Sequence, residues 1–312
     1  MDILLAMSGI DHGRWLAALR AALPSARVRS WQPGDDGPAD YLLYWMAPAQ
    51  SLAGRPDLKA VFNLGAGVDA LFAIMRDHPE AVTHRVPLLR LEDAGMARQM
   101  VEYALYCALR YQRRFDAYEE QARKGAWQPL EPHRVEAFTV GVLGAGQLGL
   151  PVARALAVRG YPVRLYSRTP RSVPGIETHA GPDALIRFAS DARMLLNLLP
   201  DTPATQGILS ARVFDAMAEG GYVVNLGRGG HLVEADLLRA LDDGRLSRAA
   251  LDVFHEEPLP PDHPFWRHPR VEVTPHISAL SMVEESVAQI AGHIARHEAG
   301  EPLQGLDTKR GY

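Results

Sequence analysis

Two rhythms of apolar and polar positions alternate along the chain. Short runs that are apolar throughout, bounded by polar or turn-forming residues, are separated by longer stretches with apolar positions at helical spacing. A run without polar alternation reads as a strand buried on both faces, and strands of that kind separated by helices form a parallel sheet covered on both sides. In the first hundred residues the predicted strands are DILLA, ARVRS, YLLYW and AVFNL, with helices over about residues 11–23 and 68–76. A second series begins at Thr139 with the strand TVGVL and a helix from Leu148. It continues with VRLYS, a helix near residues 183–189, RMLLNLL, a helix near 211–218, YVVNL, a helix from Glu234, RAALDVF and VEVT.

Between the two series runs an unbroken stretch of helix formers, about residues 94–124, which Gly125 and the proline-containing WQPLEPHR bring to an end. One long helix is expected here, leaving one domain for the next. A last helix, about residues 283–298, follows the final strand and is expected to return the chain to the first domain. The chain's 312 residues exceed a single core of about 100–200 residues, so two domains are expected. The fold class predicted is therefore α/β, with two doubly wound parallel-sheet domains of Rossmann-like or flavodoxin-like type and the active site in the cleft between them. The expected domains are residues 1–97 plus 282–312 and residues 98–281.

Composition narrows the function classes. With 47% hydrophobic and 22% charged residues, the chain is globular in type. A net charge of -4 argues against binding nucleic acid through general phosphate attraction. Cys107 is the single cysteine, which excludes an intrachain disulfide and a thiolate metal cluster and makes the cytoplasm the expected location. The apolar run of the N-terminal MDILLAMSGI lacks a basic flank and reads as a strand, and no run approaches the roughly 20 apolar residues of a membrane span.

In TVGVLGAGQLG, Gly144, Ala145, Gly146, Gln147, Leu148 and Gly149 stand between an apolar strand and a helix. The first glycine permits a tight turn, the second lets the backbone approach a pyrophosphate, and the third lets helix and strand pack closely. This assigns dinucleotide binding to the second domain. About twenty residues on, where an acid often holds a ribose hydroxyl, YSRTPRS instead offers Ser167, Arg168, Thr169 and Arg171.

Downstream lie NLGRGG (225–230), LDVFHEEPLP (251–260) and TPHIS (274–278), and NLGAGVD (63–69) lies in the first domain. Taken together and in this order, these motifs resemble those of the D-isomer-specific 2-hydroxyacid dehydrogenases, most closely the glyoxylate/hydroxypyruvate reductases of the A type. The resemblance implies a nicotinamide-dependent reductase of small 2-keto acids that works as a homodimer. It places a catalytic arginine on Arg228, an acid on Glu257 and the proton donor on His276, with His255 as a decoy on the neighbouring loop.

The residue types suit that chemistry. Reducing a 2-keto acid requires a hydride at the carbonyl carbon, a proton at its oxygen and neutralisation of the carboxylate. An imidazolium supplies the proton near neutral pH, a carboxylate beside it favours the charged form, and Arg228 offers a planar fork to the substrate carboxylate. Taken singly, the arginine also fits a phosphate contact, the glutamate a turn cap and the histidine an ordinary loop residue.

The resemblance further implies that Gly65, Ala66 and Gly67 form a backbone nest for the substrate carboxylate. Trp45, Met46 and Trp266 fit either pocket lining or core packing. Leu199, Pro200 and Thr205 fall on a loop that passes the cofactor in the family, although they suit a plain loop nearly as well. Leu226 is taken as a further cofactor neighbour. Asp252 resembles a residue that contacts the nicotinamide amide, and a strand-end cap is the alternative. Ser167 stands where the NAD-dependent members have an acid, so NADP(H) is the expected cofactor and NAD(H) a possible second. No metal spacing and no nucleophile elbow is present. The rival readings are a reductase of a bulkier 2-keto acid and a nucleotide-sensing, corepressor-like binding protein.

Overall fold

The computed structural model describes residues 1–79, 81 and 86–306. The chain divides into two compact units, Met1–Met96 with the chain from Ser281 onward, and Ala97–Leu280.

The first unit opens with β1 (Asp2–Met7), α1 (His12–Ala22), β2 (Arg27–Ser30), β3 (Tyr41–Trp45), β4 (Ala60–Asn63), α2 (Asp69–Asp77) and β5 (Leu88–Arg90). The strands pair in parallel in the order β2-β1-β3-β4-β5, the flavodoxin-like order whose switch point lies between β1 and β3. Ile3, Leu4, Leu5, Tyr41, Leu42, Leu43 and Tyr44 are all buried, as continuous apolar runs require. Asp11 caps α1, accepting from the Gly13 N–H at 2.8 Å, and Trp15 and Leu19 form its buried stripe.

The second unit contains α3 (Met96–Gln112), whose first residue belongs to the other unit, then α4 (Phe115–Arg123), β6 (Val140–Leu143), α5 (Gly149–Val158), β7 (Val163–Ser167), β8 (Glu177–Ala180), α6 (Leu185–Ala189), β9 (Met194–Asn197), α7 (Ala211–Ala216), β10 (Gly221–Asn225), α8 (Glu234–Asp242), β11 (Leu246–Leu251) and β12 (Val271–Val273). Its parallel sheet runs β12-β11-β10-β9-β6-β7-β8, a Rossmann order with β6 as the first strand and the switch point between β6 and β9. The chain then returns to the first unit as α9 (Val283–Glu298), which packs against α1 with the ion pair Arg14–Glu284 at 2.7 Å on its surface.

Three expectations need correction. The single helix expected over residues 94–124 is two helices, because Arg114 adopts a left-handed φ of 60°. Arg110 and Glu119 would stand roughly 13 Å apart along a straight helix at 1.5 Å per residue, yet they are hydrogen-bonded. The break also brings buried Asp116 within 2.7 Å of Arg248. Near residue 183 a 3-10 turn, Pro182–Ala184, precedes a shorter α6 than the pattern suggests. Strands β5 and β8 were not anticipated. β5 spans three residues, and β8, ETHA, is a polar edge strand without the apolar run used to find the others.

Candidate active site

The expected chemistry of the second unit lies along one edge of its sheet. The glycine turn follows β6, Ser167 ends β7, Leu199 follows β9, Arg228 follows β10, and Asp252 and His276 follow β11 and β12. Ligands of open α/β sheets bind beyond these carboxyl ends, near the switch point.

Each glycine of the turn has a different steric reason. Gly144 has a φ of +112°, and a Cβ there would approach the Leu198 carbonyl oxygen to 2.8 Å. A Cβ at Gly149 would lie 1.9 Å from the Gly144 oxygen, so only glycine lets α5 start this close to β6. At Gly146 an added Cβ would meet nothing within 4 Å. That is the open side on which a pyrophosphate can approach the backbone. No side chain caps α5; the Leu150 N–H donates to the Gly146 carbonyl at 3.1 Å and Pro151 has none, so an anion would meet the N–H groups of the turn and the positive end of the helix. Ala145 is buried beneath the turn, and Gln147 and Leu148 lead into the helix. The chain thus fits a dinucleotide here.

Beyond β7, Ser167 is buried and its hydroxyl donates to the Thr169 carbonyl at 2.7 Å. That bond shapes the loop. Arg168, Thr169 and Arg171 are exposed. The loop is held by the Thr178 hydroxyl donating to the Arg171 carbonyl at 2.7 Å and by the bridge between Val173 and Ile176. Two cations therefore stand on a constrained loop at the end of the strand that follows the glycine turn. Leu199 after β9 and Leu226 after β10 are buried, and Pro200 is exposed. The Thr205 hydroxyl is engaged within its own loop, donating to the Pro200 carbonyl at 2.8 Å and accepting from the Thr202 N–H at 3.0 Å.

The structure brings Glu257 and His276 together, with Nδ1 of the imidazole 2.7 Å from Oε2 of the carboxylate. Oε1 of Glu257 accepts from the Phe254 N–H at 2.9 Å. Partial burial pushes this carboxyl's pKa up, but the hydrogen bonds from His276 and Phe254, with the charges of His276 and Arg228, hold it below the usual carboxylate value. Glu257 occupies Nδ1, so Nε2 is the nitrogen through which the ring can pass a proton to a ligand. His276 itself has a left-handed φ of 54°, an unfavourable backbone that persists only where surroundings impose it.

Asp252 imposes it. The carboxylate is fully buried; Oδ1 accepts from the Thr274 hydroxyl at 2.6 Å and the Ile277 N–H at 2.8 Å, and Oδ2 from the Ser278 N–H at 2.8 Å. The Asp252 carbonyl accepts the His276 N–H at 2.9 Å. Of the two readings open for this residue, the geometry favours the cap. His255 is turned away, with Nε2 bonded to the Leu232 carbonyl at 2.9 Å.

Arg228 is half-buried, and its loop packs tightly on the Glu257 loop. A Cβ at Gly229 would come within 1.9 Å of the Phe254 carbonyl carbon. Three fully buried residues behind this loop, Asn197, Asn225 and His231, escaped the sequence reading. The available signal was the dipeptide Asn-Leu ending the strand runs at 63, 197 and 225, since a polar residue closing a buried strand must find partners in the next loop.

In the first unit, buried Asn63 donates to the Gly65 carbonyl at 3.0 Å and to the Gly67 carbonyl at 2.7 Å, and Arg90 to the Ala66 carbonyl at 3.3 Å. The three carbonyls of the expected receptor loop are thus held by side-chain donors. Gly65 does not owe its identity to a left-handed nest conformation. Its φ is ordinary, and a Cβ would sit 2.3 Å from the Trp45 ring. Trp45 is partly buried against that glycine, whereas Met46 has a φ of 50° and is 56% exposed. Trp266 is also exposed, its indole N–H donating to the Pro260 carbonyl at 2.9 Å. No group of three or more histidine, cysteine or acidic residues suited to a metal occurs among the described residues, nor any helix long and apolar enough to cross a membrane.

Comparison with known proteins gives the following likenesses. Residues 105–278 match the family described as D-isomer specific 2-hydroxyacid dehydrogenase, NAD binding domain. The chain is 50% identical, over all of both sequences, to glyoxylate/hydroxypyruvate reductase A of Serratia proteamaculans. Among solved structures, it resembles a D-isomer specific 2-hydroxyacid dehydrogenase from Xanthobacter autotrophicus Py2 in complex with NADPH and MES, at 37% identity and a TM-score of 0.92 over 100% of this chain and 99% of that one. An NADPH-dependent glyoxylate/hydroxypyruvate reductase from Sinorhizobium meliloti, in complex with NADP and sulfate, is similar at 36% identity and a TM-score of 0.92 over the same shares.

Proposed function

The chain belongs to the D-isomer specific 2-hydroxyacid dehydrogenase family, and from that premise we propose that it reduces small 2-keto acids, glyoxylate to glycolate and hydroxypyruvate to glycerate, with NADPH preferred over NADH. The observation that carries the reading is the 2.7 Å pair of His276 and Glu257 on the same sheet edge as the glycine turn. A bound nicotinamide supplies the hydride; the protein's own residues do the rest. His276 donates a proton from Nε2 to the keto oxygen, Glu257 orients the ring and stabilises its charge, and Arg228 holds the substrate carboxylate. The loop at Gly65, Ala66 and Gly67 is the proposed backbone receptor for that carboxylate, and Trp45 and Met46 are proposed to line the substrate position. The cofactor pyrophosphate is assigned to residues 144–149, with Leu199, Pro200, Thr205 and Leu226 beside it. Ser167, Arg168, Thr169 and Arg171 are assigned the 2′-phosphate of NADP(H).

The substrate role of the first unit and the dinucleotide role of the second are part of this proposal. So are a cytoplasmic location, consistent with a buried, unpaired Cys107, and a homodimer. The dimer is supported by apolar side chains exposed on α3, α4 and the segment after them, where Tyr106, Leu109, Phe115 and Trp127 are 47%, 42%, 46% and 96% exposed. Initial rates with glyoxylate, hydroxypyruvate, pyruvate and phenylpyruvate, each with NADPH and NADH, test the function. Turnover of the small acids with NADPH is expected; absence of turnover with all of them would refute it, and a preference for phenylpyruvate would replace the substrate class.

A further inference from the structure

The backbone of Arg228 is gripped at both ends by a polar cluster with no exposure to solvent. Asn197, the last residue of β9, uses both hydrogens of its amide, donating to Asn225 Oδ1 at 2.8 Å and to His231 Nδ1 at 2.8 Å. Asn225, the last residue of β10, also accepts from the Gly227 N–H at 3.2 Å and donates to the Arg228 carbonyl at 2.9 Å. The Arg228 N–H points to His231 Nδ1 at 3.3 Å. Two donors converge on Nδ1, so that nitrogen carries the lone pair and the ring proton sits on Nε2, 3.9 Å from Asp201 Oδ1. The cluster has no slack: a Cβ at Gly227 would come within 2.8 Å of Asn197 Nδ2 and 3.0 Å of His231 Nδ1.

We propose that His231 is a positioning residue for the reductase reaction. As the neutral Nε2–H tautomer it accepts from Arg228 and Asn197, and so fixes the direction in which the Arg228 guanidinium meets the substrate carboxylate. Arg228 reaches substrate through a long side chain, whose Nη1 donates to the Gly227 carbonyl at 2.7 Å, and the base of that side chain turns with the backbone dihedrals at 228. Those dihedrals are held on the N–H side by His231 Nδ1 and on the carbonyl side by the Asn225 amide and, at 3.2 Å, by the His231 backbone N–H. A displacement of about 1 Å at a substrate-orienting group is enough to lower a rate roughly a hundredfold. A charged or Nδ1-protonated ring would present a hydrogen to two other hydrogens and release the loop. The inference rests on reading Arg228 as the group that holds the substrate.

The test compares His231→Ala, His231→Asn and Arg228→Ala by kcat and KM for glyoxylate at saturating NADPH, NADPH affinity by fluorescence titration, and melting temperature. The Oδ1 of an asparagine lies close to the place of Nδ1 and can accept from both donors. His231→Asn is therefore expected to stay within about threefold of the parent kcat/KM and His231→Ala to lose about thirtyfold or more, with NADPH affinity within about twofold in both. Equal losses in the two variants, or a His231→Ala variant with lowered melting temperature but unchanged kcat/KM, would overturn the inference. If Arg228→Ala also keeps its rate, the reading of Arg228 fails with it. If Arg228→Ala is inactive while His231→Ala is not, only the role of His231 fails. Should His231→Ala not fold, nitrogen-15 spectra of histidine-labelled parent protein decide the tautomer: an unprotonated Nδ1 with a protonated Nε2 is expected, and a protonated Nδ1 overturns the proposal.

Discussion

Nδ1 of His276 lies 2.7 Å from Oε2 of Glu257, and the second oxygen of that carboxylate is anchored by the Phe254 N–H. The anchor matters because it stops the glutamate from following a moving ring, so the imidazole takes its orientation from the β11 loop. Glu257→Gln keeps the shape but removes the charge. It is expected to lower kcat about 10–100-fold with little change in NADPH affinity, and His276→Ala to lower it by the roughly 10²–10⁴-fold typical of a lost general acid. A His276→Ala variant retaining more than about a tenth of the parent rate contradicts the assignment.

The lowered pKa of Glu257 makes a separate prediction about pH. A carboxyl whose folded pKa lies below its unfolded value contributes stability that is present above the unfolded value and lost as pH falls through the folded one. The unfolded reference for glutamate is about 4.3, so Glu257 stays ionised throughout the neutral range. Its contribution to activity disappears only below that value. The measurement is kcat/KM against pH for the parent and Glu257→Gln: an acid-side loss centred above about pH 5 in the parent and absent from the variant would contradict the direction of the shift.

Arg168 stands exposed just beyond the end of β7, on a loop whose other end is held by Thr178 and Val173. Arg168→Ala is expected to weaken NADPH by about 1.5–3 kcal/mol, the usual range for a hydrogen bond to a charged group, and to leave NADH use nearly unchanged. Equal losses with both cofactors would mean that the arginine supports the loop and does not meet the 2′-phosphate. A wild-type preference for NADH would remove the assignment altogether.

How far the sequence was legible depends on what had to be read. Buried parallel strands such as YLLYW and YVVNL carry their own signal, and so does the turn at Gly144, Gly146 and Gly149, because at 144 and 149 steric rules leave few alternatives to glycine. The break at Arg114 was hidden, since no glycine or proline marks it and the pair that accompanies it, Asp116 with Arg248, is far apart in sequence. β8 was hidden because an edge strand needs no apolar run. Asn197, Asn225 and His231 were hidden for a related reason: their value lies in one another, across three segments, and the only local trace is the Asn-Leu pair that closes the two strands. At Gly65 the structure adds a steric reason for glycine that the motif did not show, the Trp45 ring packed against it.

Gly149 tests the steric argument directly. With 1.9 Å between an added Cβ and the Gly144 oxygen, Gly149→Ala has to move either the turn or the start of α5. Overpacking of this kind costs about 1–3 kcal/mol, and the expected result is a lower melting temperature together with at least a tenfold weaker affinity for both NADPH and NADH. Loss of stability with intact cofactor affinity would show that the turn relaxes without disturbing the anion-binding N–H groups.

Asp252 separates two roles that the motif alone leaves open. Its Oδ1 receives the Thr274 hydroxyl and the Ile277 N–H, and its Oδ2 the Ser278 N–H, while the Thr274 hydroxyl is also 2.8 Å from the Tyr103 hydroxyl. In Asp252→Asn the amide NH2 faces a backbone donor whichever way the group is turned. One hydrogen bond is lost and two donors oppose each other, at a cost of about 1–3 kcal/mol in a buried setting. The loop from 274 to 278 then no longer has the carboxylate that holds His276 in its left-handed conformation. If Asp252 works through that loop, kcat is expected to fall about 10–100-fold, the scale of a misplaced general acid, with NADPH affinity within about twofold. If the residue instead serves the nicotinamide amide, NADPH affinity should fall first, and raising the cofactor concentration should restore the rate. Single-turnover rates at saturating NADPH distinguish the two outcomes, and recovery of the full rate there would overturn the assignment of Asp252 as the organiser of the histidine loop.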